Sequence, residues 1–540
     1  PFHNSHLGKS YRSGADPAVV EFRGEYYMFV TRSWGYWHSK DLLNWDFITP
    51  EKWYFEGCNA PAAHNYKDSV LYVCGNPSGA MSILYTDNPK RGDWKAVPSV
   101  LHDLQDPALF IDDDERAYMY WGSSNRWPIR GKELDMKNKF LPIAKKPDSL
   151  LFLRPDIYGW ERFGENHTSD IKPFIEGAWM TKHNGKYYLQ YAAPGTQFNV
   201  YGDGVYVGKS PLGPFQYAAH NPFCYKPGGF ATGAGHGSTV CGPGGIYWHF
   251  GTIHLSINYK FERRLCMFPT FFDEDGVMYS DTYFGDYPHY SPDQVSRQMT
   301  SGGFRGWMLL SYGKPVKASS QLESYPVENV TDENLKTFWV AGKNDDKQWV
   351  EIDLEEVSDV YALQLNFFDY EETGFWGRMP NLRQRYLVEA SVDGARWRVL
   401  VDYRNSFRDA PHNYIELDQP IEARYIRYRH HYVPGKNLAM GDIRVFGLGR
   451  GKKPATVKGF TVVREADERN ARISWKSVKG AQGYNVLWGV APDKLYSSWM
   501  VYGDNSLDLR ALTVGQKYYF AIESFNENGI SQRVFLREAH

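Results

Sequence analysis

One short signature recurs along the first 300 or so residues, and that recurrence restricts the fold more than any other feature of the chain. A tight polar turn is followed by paired aromatics, or by an aromatic among apolar residues, at Arg23-Gly24-Glu25-Tyr26-Tyr27, Lys67-Asp68-Ser69-Val70-Leu71-Tyr72, Asp114-Glu115-Arg116-Ala117-Tyr118, Asn184-Gly185-Lys186-Tyr187-Tyr188 and Gly244-Gly245-Ile246-Tyr247-Trp248. Each reads as a β-hairpin. The repeats are spaced by about 45 to 70 residues, which suits four-stranded propeller blades with loop insertions and is too irregular for a solenoid. The longest insertion lies between Asn125 and Asp170. Several units also close on a small-residue turn and a bulky ring, as in Ser39-Lys40-Asp41-Leu42-Leu43-Asn44-Trp45 and Ser210-Pro211-Leu212-Gly213-Pro214-Phe215, the pattern of an outer-strand hairpin. Residues 1–305 are therefore predicted to form a five-bladed β-propeller.

A chain of 540 residues exceeds one ordinary core, and the pattern changes after Gly302. Residues 312–448 read as a compact β-sandwich marked by Trp339, Trp349-Val350-Glu351-Ile352-Asp353-Leu354 and Trp397. A basic, glycine-containing linker follows, and residues 454–540 carry the strand spacing of a second sandwich, through Ile473-Ser474-Trp475, Gly483-Tyr484-Asn485-Val486 and Tyr518-Tyr519-Phe520-Ala521-Ile522. Long helical periodicity is nearly absent, so the fold class is all-β: a five-bladed propeller followed by two sandwiches.

A net charge of -2 without a Lys/Arg block argues against a nucleic-acid or membrane-surface partner. No stretch approaches the roughly 18 apolar residues of a membrane-spanning helix. The five cysteines (Cys58, Cys74, Cys224, Cys241 and Cys266) have neither the spacing of a zinc site nor the even count of a disulfide framework. Aromatics make up 16% of the chain, which fits stacking against sugar rings as well as it fits strand-rich packing. The chain begins at Pro1 with no leader-like segment, so an extracytoplasmic location (secreted, periplasmic or cell-surface) is an expectation drawn from function rather than read from residues.

Three acids carry the chemistry. Asp16 sits in Gly14-Ala15-Asp16-Pro17-Ala18-Val19-Val20 and Asp106 in Leu104-Gln105-Asp106-Pro107-Ala108-Leu109-Phe110. A lone Asp-Pro more often opens a turn, but two copies, each just ahead of a blade-type hairpin, imply equivalent positions around one shared site. Proline is expected to hold the preceding aspartate in extended geometry at the very start of an inner strand, facing the central channel. Glu176, in Phe174-Ile175-Glu176-Gly177-Ala178-Trp179-Met180, is an acid inside an apolar run, and burial beside Asp106 would raise its pKa as a general acid requires.

With these motifs in this order, residues 8 to 300 resemble glycoside hydrolase family 43 and related five-bladed propeller glycosidases. The resemblance implies an inverting hydrolase in which Asp16 is the general base, Glu176 the general acid and Asp106 the residue that tunes and orients the acid. It also places His236, in Gly235-His236-Gly237-Ser238, on the channel axis, where one calcium ion would bind directly or through water. By spacing, Arg263 matches an arginine that contacts the sugar, with Arg264 the alternative because only one of two consecutive strand residues can face inward. Trp34 is a candidate to stack under the sugar ring. The chain departs from the family at Asn59-Ala60-Pro61-Ala62-Ala63-His64, where many members have Trp-Ala-Pro; this alters the substrate wall, and His64 is a candidate to line it. Residues 312–448 resemble a discoidin-like module of the coagulation factor 5/8 C-terminal type, many of which bind glycans, and residues 454–540 a fibronectin type III domain, usually a spacer.

The function this implies is release of a pentose, foremost α-L-arabinofuranose, from plant polysaccharide side chains, so that the partner is an oligo- or polysaccharide. The alternatives are a β-xylosidase or galactose-releasing exo-hydrolase of the same fold, and a non-catalytic glycan-binding protein. A retaining fructan hydrolase ranks last, because the first motif lacks the Asn-Asp-Pro-Asn pattern and Glu176 is followed by glycine rather than cysteine.

Overall fold

The computed structural model describes residues 14 to 536 apart from 52, 54–57, 77–79, 103, 255–260, 300–301, 369 and 372–382. The first thirteen residues of the expected propeller lie outside the described residues. The fold class is as expected: among the described residues, every regular element longer than four residues is a strand.

The five hairpin signatures each join the first two strands of an antiparallel sheet. Blade one runs through Ala18–Phe22, Glu25–Phe29, Tyr36–Ser39 and Trp45–Ile48. Blade two begins at Asn59–Tyr66, blade three at Ala108–Ile111, blade four at Glu176–His183 and blade five at Gly235–Cys241. These innermost strands adjoin one another in order, and the fifth packs beside the first, which closes the ring. Side chains make that closure: Val19, Tyr26, Met28 and Trp37 of blade one pack with Val240, Trp248 and Phe250 of blade five, and the Val19 amide donates to Ser238 Oγ at 2.8 Å.

Each inner strand enters through a residue with positive φ: Asp16 (54°), Ala60 (44°), Asp106 (49°), Gly177 (66°) and His236 (49°). The extended geometry expected of Asp16 and Asp106 is therefore not adopted. Proline disfavours the right-handed helical region for the residue before it, and here the chain takes the left-handed alternative. For a non-glycine residue this costs about 1–3 kcal/mol, a strain that the surrounding structure has to hold. In blades two, four and five the strand slips register at this point, between Asn59 and Ala62, Glu176 and Trp179, and Gly235 and Ser238. Such bulges re-aim side chains where a ladder begins, and the ring repeats the device at one end of the channel.

The second unit is an eight-stranded sheet bent over its own core. Its long strands Trp349–Phe367 and His412–Tyr432 shift register partway along, so each serves both faces, around Trp339, Val350, Ile352, Leu363 and Tyr428. The third packs a three-stranded sheet, Lys458–Arg464, Ala471–Lys476 and Ser506–Leu509, on a five-stranded one that includes Gly483–Gly489 and Tyr519–Asn526.

The expectation of a spacer at the chain end is corrected by the packing. The third unit lies against the propeller: the Gly159 amide donates to Leu512 O at 2.9 Å, Arg162 donates to Asn470 Oδ1 and Arg510 O at 2.6 Å, and Tyr279 stacks on Tyr496 with centroids 3.7 Å apart. All three units meet at Arg444. This side chain is 1% exposed, forks onto Glu333 at 3.0 and 2.7 Å, and donates to Asp286 O at 2.8 Å. Tyr502 of the third unit bonds Tyr287 of the propeller at 2.8 Å. No sequence pattern marks such a junction, because its residues come from segments more than a hundred positions apart.

Candidate active site

A cavity of about 440 Å³ opens at the end of the channel where the inner strands begin, and its lining includes Asp16, Asp106, Glu176, His236 and Arg263. Asp16 enters from blade one, Asp106 from blade three, Glu176 from blade four and His236 from blade five, so the acids that lie far apart in sequence share one site.

Asp16 is buried and held on both sides. Thr31 donates its hydroxyl to Asp16 Oδ2 at 2.5 Å while accepting the Ala60 amide, and the Asp16 amide donates to Thr252 Oγ1 at 2.9 Å. Asp16 Oδ1 lies 3.4 Å from His236 Nδ1 and 3.5 Å from Arg263 Nη1. Burial alone would raise this carboxyl, but His236, Arg263 and the Thr31 hydroxyl outweigh it and hold the group below its ordinary range. Asp16 is thus a carboxylate at neutral pH.

Asp106 behaves in the opposite way. Burial is the largest influence; His236 pulls downward, but Glu176 and Asp16 add like charge, and the carboxyl is pushed up to about 7. Ser123 lies between the two acids, bonded to Asp106 and donating to Glu176 Oε2 at 3.0 Å. The second oxygen of Glu176 accepts the Tyr201 hydroxyl at 2.7 Å. Asp106 is therefore the carboxyl of the cavity that holds its proton into the neutral range, beside Glu176. The expectation from sequence placed the upward push on Glu176; the resolved push is on Asp106.

Gly177, not Glu176, occupies the ring position equivalent to Asp16 and Asp106, and the acid stands one residue earlier, where blades two and three carry Asn59 and Gln105. His236 is fixed through its backbone: its amide and that of Gly237 donate to the two oxygens of the fully buried Asp203, at 2.7 and 3.0 Å. Burial lowers the imidazole, but Asp16, Asp106, Glu176 and Asp203 together raise it above its usual value. It stands among the carboxylates as a counter-charge.

Asp106, Glu176 and His236 each offer a ligand atom within 4.8 Å of the others, so the cluster could hold a metal ion. Calcium fits it poorly. That ion takes six to eight oxygens, whereas one of these three donors is an imidazole nitrogen and both Glu176 oxygens already accept hydroxyl protons.

Of the substrate residues expected from sequence, Arg263 is in the cavity wall, and Arg264 turns instead to His412 of the second unit, at 3.3 Å. Trp34 is 42% exposed on the loop that carries Thr31 and Arg32 into the cavity, but is not part of its lining. His64 is placed elsewhere. Its Nε2 accepts the Ile111 amide at 3.2 Å, burial drives its pKa down to about 4, and it lines a different cavity, among Val20, Phe110 and Met180. It stands five residues along its inner strand from Asn59, and a rise of about 3.3 Å per residue carries it to another level of the channel.

Sequence reading missed Thr31, Asn76, Ser123 and Thr196, which all line the cavity. Each lies at, or two to three residues beyond, the end of the second strand of blades one to four. A polar residue recurring at that offset from the hairpin was the available signal. Asn59, at the departure noted above, accepts from Arg32 Nε at 2.9 Å, so a polar pair stands in this part of the wall.

Residues 11–278 match the family model described as Glycosyl hydrolases family 43, and residues 315–440 match the F5/8 type C domain model. The chain therefore carries a domain of each kind. It is similar to a protein named Beta-xylosidase from Xylanibacter ruminicola, 33% identical over 34% of this chain and 57% of that protein. It is also similar to Xylosidase/arabinosidase 43A from Humicola insolens, 30% identical over 21% of this chain and 40% of that protein. A third relative is Arabinoxylan arabinofuranohydrolase from Bacillus subtilis (strain 168), 30% identical over 31% of this chain and 34% of that protein. The chain thus spans between about a third and somewhat over half of the length of these curated relatives.

Proposed function

We propose that the family 43 glycosyl hydrolase domain of this chain cleaves a glycosidic bond by single displacement with inversion. Asp16, ionised, takes a proton from water as that water attacks the anomeric carbon. Glu176 gives a proton to the departing oxygen, and the bond from that oxygen to the anomeric carbon breaks. Asp106 tunes and orients the acid through shared charge and the Ser123 hydroxyl, and Arg263 and His236 hold negative charge on Asp16. The observation that carries this reading is the opposition inside one cavity of a carboxylate kept ionised, Asp16, and a carboxyl pushed up to about 7, Asp106, with Glu176 beside it.

The substrate we favour is a neutral pentose, α-L-arabinofuranose on a plant polysaccharide side chain, in line with the arabinosidase and arabinofuranohydrolase names among the relatives. A β-xylosidase is the second reading, favoured by the relative named Beta-xylosidase. A polymeric substrate places the reaction outside the cytoplasm. We read residues 454–540 as fibronectin type III-like, on its two packed sheets.

The test is release of nitrophenol from aryl α-L-arabinofuranoside, β-D-xyloside and galactosides by wild type, Asp16→Asn and Glu176→Gln. Loss of about 10² to 10⁴ in turnover by either variant, with an unchanged fold, is expected. Undiminished activity in either variant would remove the assignment.

A further inference from the structure

The Glu176 segment continues outward from the cavity in a form that has a use of its own. Ser124 and Ile175 form an antiparallel bridge, each amide donating to the other's carbonyl at 3.0 Å. Ser123 and Glu176, next to that bridge, both line the cavity. Side chains alternate along extended chain, so Phe174 lies on the same face as Glu176 with buried Ile175 between them, roughly 6.5 Å along the backbone. Phe174 is 37% exposed. On the bridged segment, Ser124 Oγ accepts the Trp127 amide at 3.1 Å, and Trp127 is 62% exposed. The Arg130 guanidinium lies 5.1 Å from the Trp127 ring centroid, so a cation covers one face of the indole.

Resting on the proposed hydrolase reading, we propose that Phe174 and Trp127 form the binding platform for the sugar residue on the leaving-group side of the scissile bond, a neutral pyranose of the polysaccharide backbone. The leaving oxygen has to come within hydrogen-bond reach of the acid. The next sugar ring therefore lies immediately beyond Glu176, and the first exposed apolar surface on that face is Phe174. Single exposed hydrophobic residues need no explanation. These two differ in flanking one bridge, Ser124 to Ile175, whose other neighbours Ser123 and Glu176 line the cavity.

The experiment uses the full chain with Phe174→Ala and Trp127→Ala, and compares two substrates of the same released sugar: a methyl glycoside, too short to reach Phe174, and a backbone oligosaccharide that bears the sugar. Loss of one aromatic contact is worth up to about tenfold. The expected result is a fall of about tenfold in kcat/KM on the oligosaccharide in each variant, carried by KM, with less than twofold change on the methyl glycoside. Equal losses on both substrates would make the residues supports of the acid and overturn the proposal, as would no loss on either. If wild type hydrolyses neither substrate, the hydrolase reading fails separately. Isothermal titration with a xylo-oligosaccharide then tests the platform by itself: binding weakened by both substitutions supports it, and binding left unchanged overturns it.

Discussion

Gly177 and His236 stand so close that a Cβ on the glycine would lie 2.8 Å from the imidazole Cγ. Blades one and three carry aspartate at the position that Gly177 fills in blade four, and a side chain there would displace the ring. The imidazole can then approach both Asp16 and Asp106, at 3.4 and 3.9 Å, and the acid of blade four comes from the preceding residue. One omitted side chain thereby sets how charge is divided in the cavity.

Asp106 gives a pH signature. Wild-type kcat/KM should fall on the alkaline side as Asp106, pushed up to about 7, loses its proton and adds a negative charge beside the acid. Asp106→Asn carries no titrating group at this position, so that limb should be lost from the profile. A pH profile on an aryl glycoside reads this; a limb that stays in place removes Asp106 from the tuning role.

The three-way junction predicts that the propeller depends on the units that follow it. Arg444 and Glu333 are a buried pair, and removing one partner from such a pair costs about 3–5 kcal/mol. Arg444→Ala should lower the urea midpoint accordingly. Truncation before residue 312 should expose Phe284, Tyr287 and Met308, now packed with Phe446 and Phe525, and give a propeller that melts earlier or aggregates. A truncated chain with unchanged melting and full activity would show that the contact is dispensable.

Glu161 supplies a stability test independent of catalysis. It is fully buried, accepts the Tyr191 hydroxyl at 2.6 Å, and burial pushes its pKa up to about 8 from an ordinary 4.5. Its raised folded value contributes stability that is full below about pH 4.5 and is lost as pH rises through 8. His167 works in the other direction: burial takes it from 6.5 to about 3, so its contribution is full above 6.5 and is lost as pH falls through 3. Between pH 5 and 8.5, Glu161→Gln should become progressively more stable relative to wild type, as read by urea unfolding at each pH. A constant difference would mean that Glu161 does not titrate in this range.

Legibility followed the range of the interactions. The hairpin at Arg23 to Tyr27 and its four counterparts could be read because a turn and its flanking strands are local in sequence. Asp16 and Asp106 could be paired because each carries the same short motif. Glu176 was found from its apolar setting, although its offset from the ring position was not visible. His64 was misplaced because distance along the inner strand, about 3.3 Å per residue, decides which part of the channel a side chain meets. Asp203 was missed because its partners, the backbone amides of residues 236 and 237 and the His249 ring, lie more than thirty positions away in sequence.

The sequence alone determined the all-β class, the number of blades and the order of the units, since these follow from periodicity and local motif, and it singled out three acids that the structure brings to one cavity. Only the tertiary structure decided that Asp16 stays ionised while Asp106 is pushed up, and that the third unit braces the propeller. Those outcomes depend on distances of a few ångströms between residues hundreds of positions apart. At that range, burial and the sign of the nearest charge outweigh anything a residue's own neighbours in the chain can set.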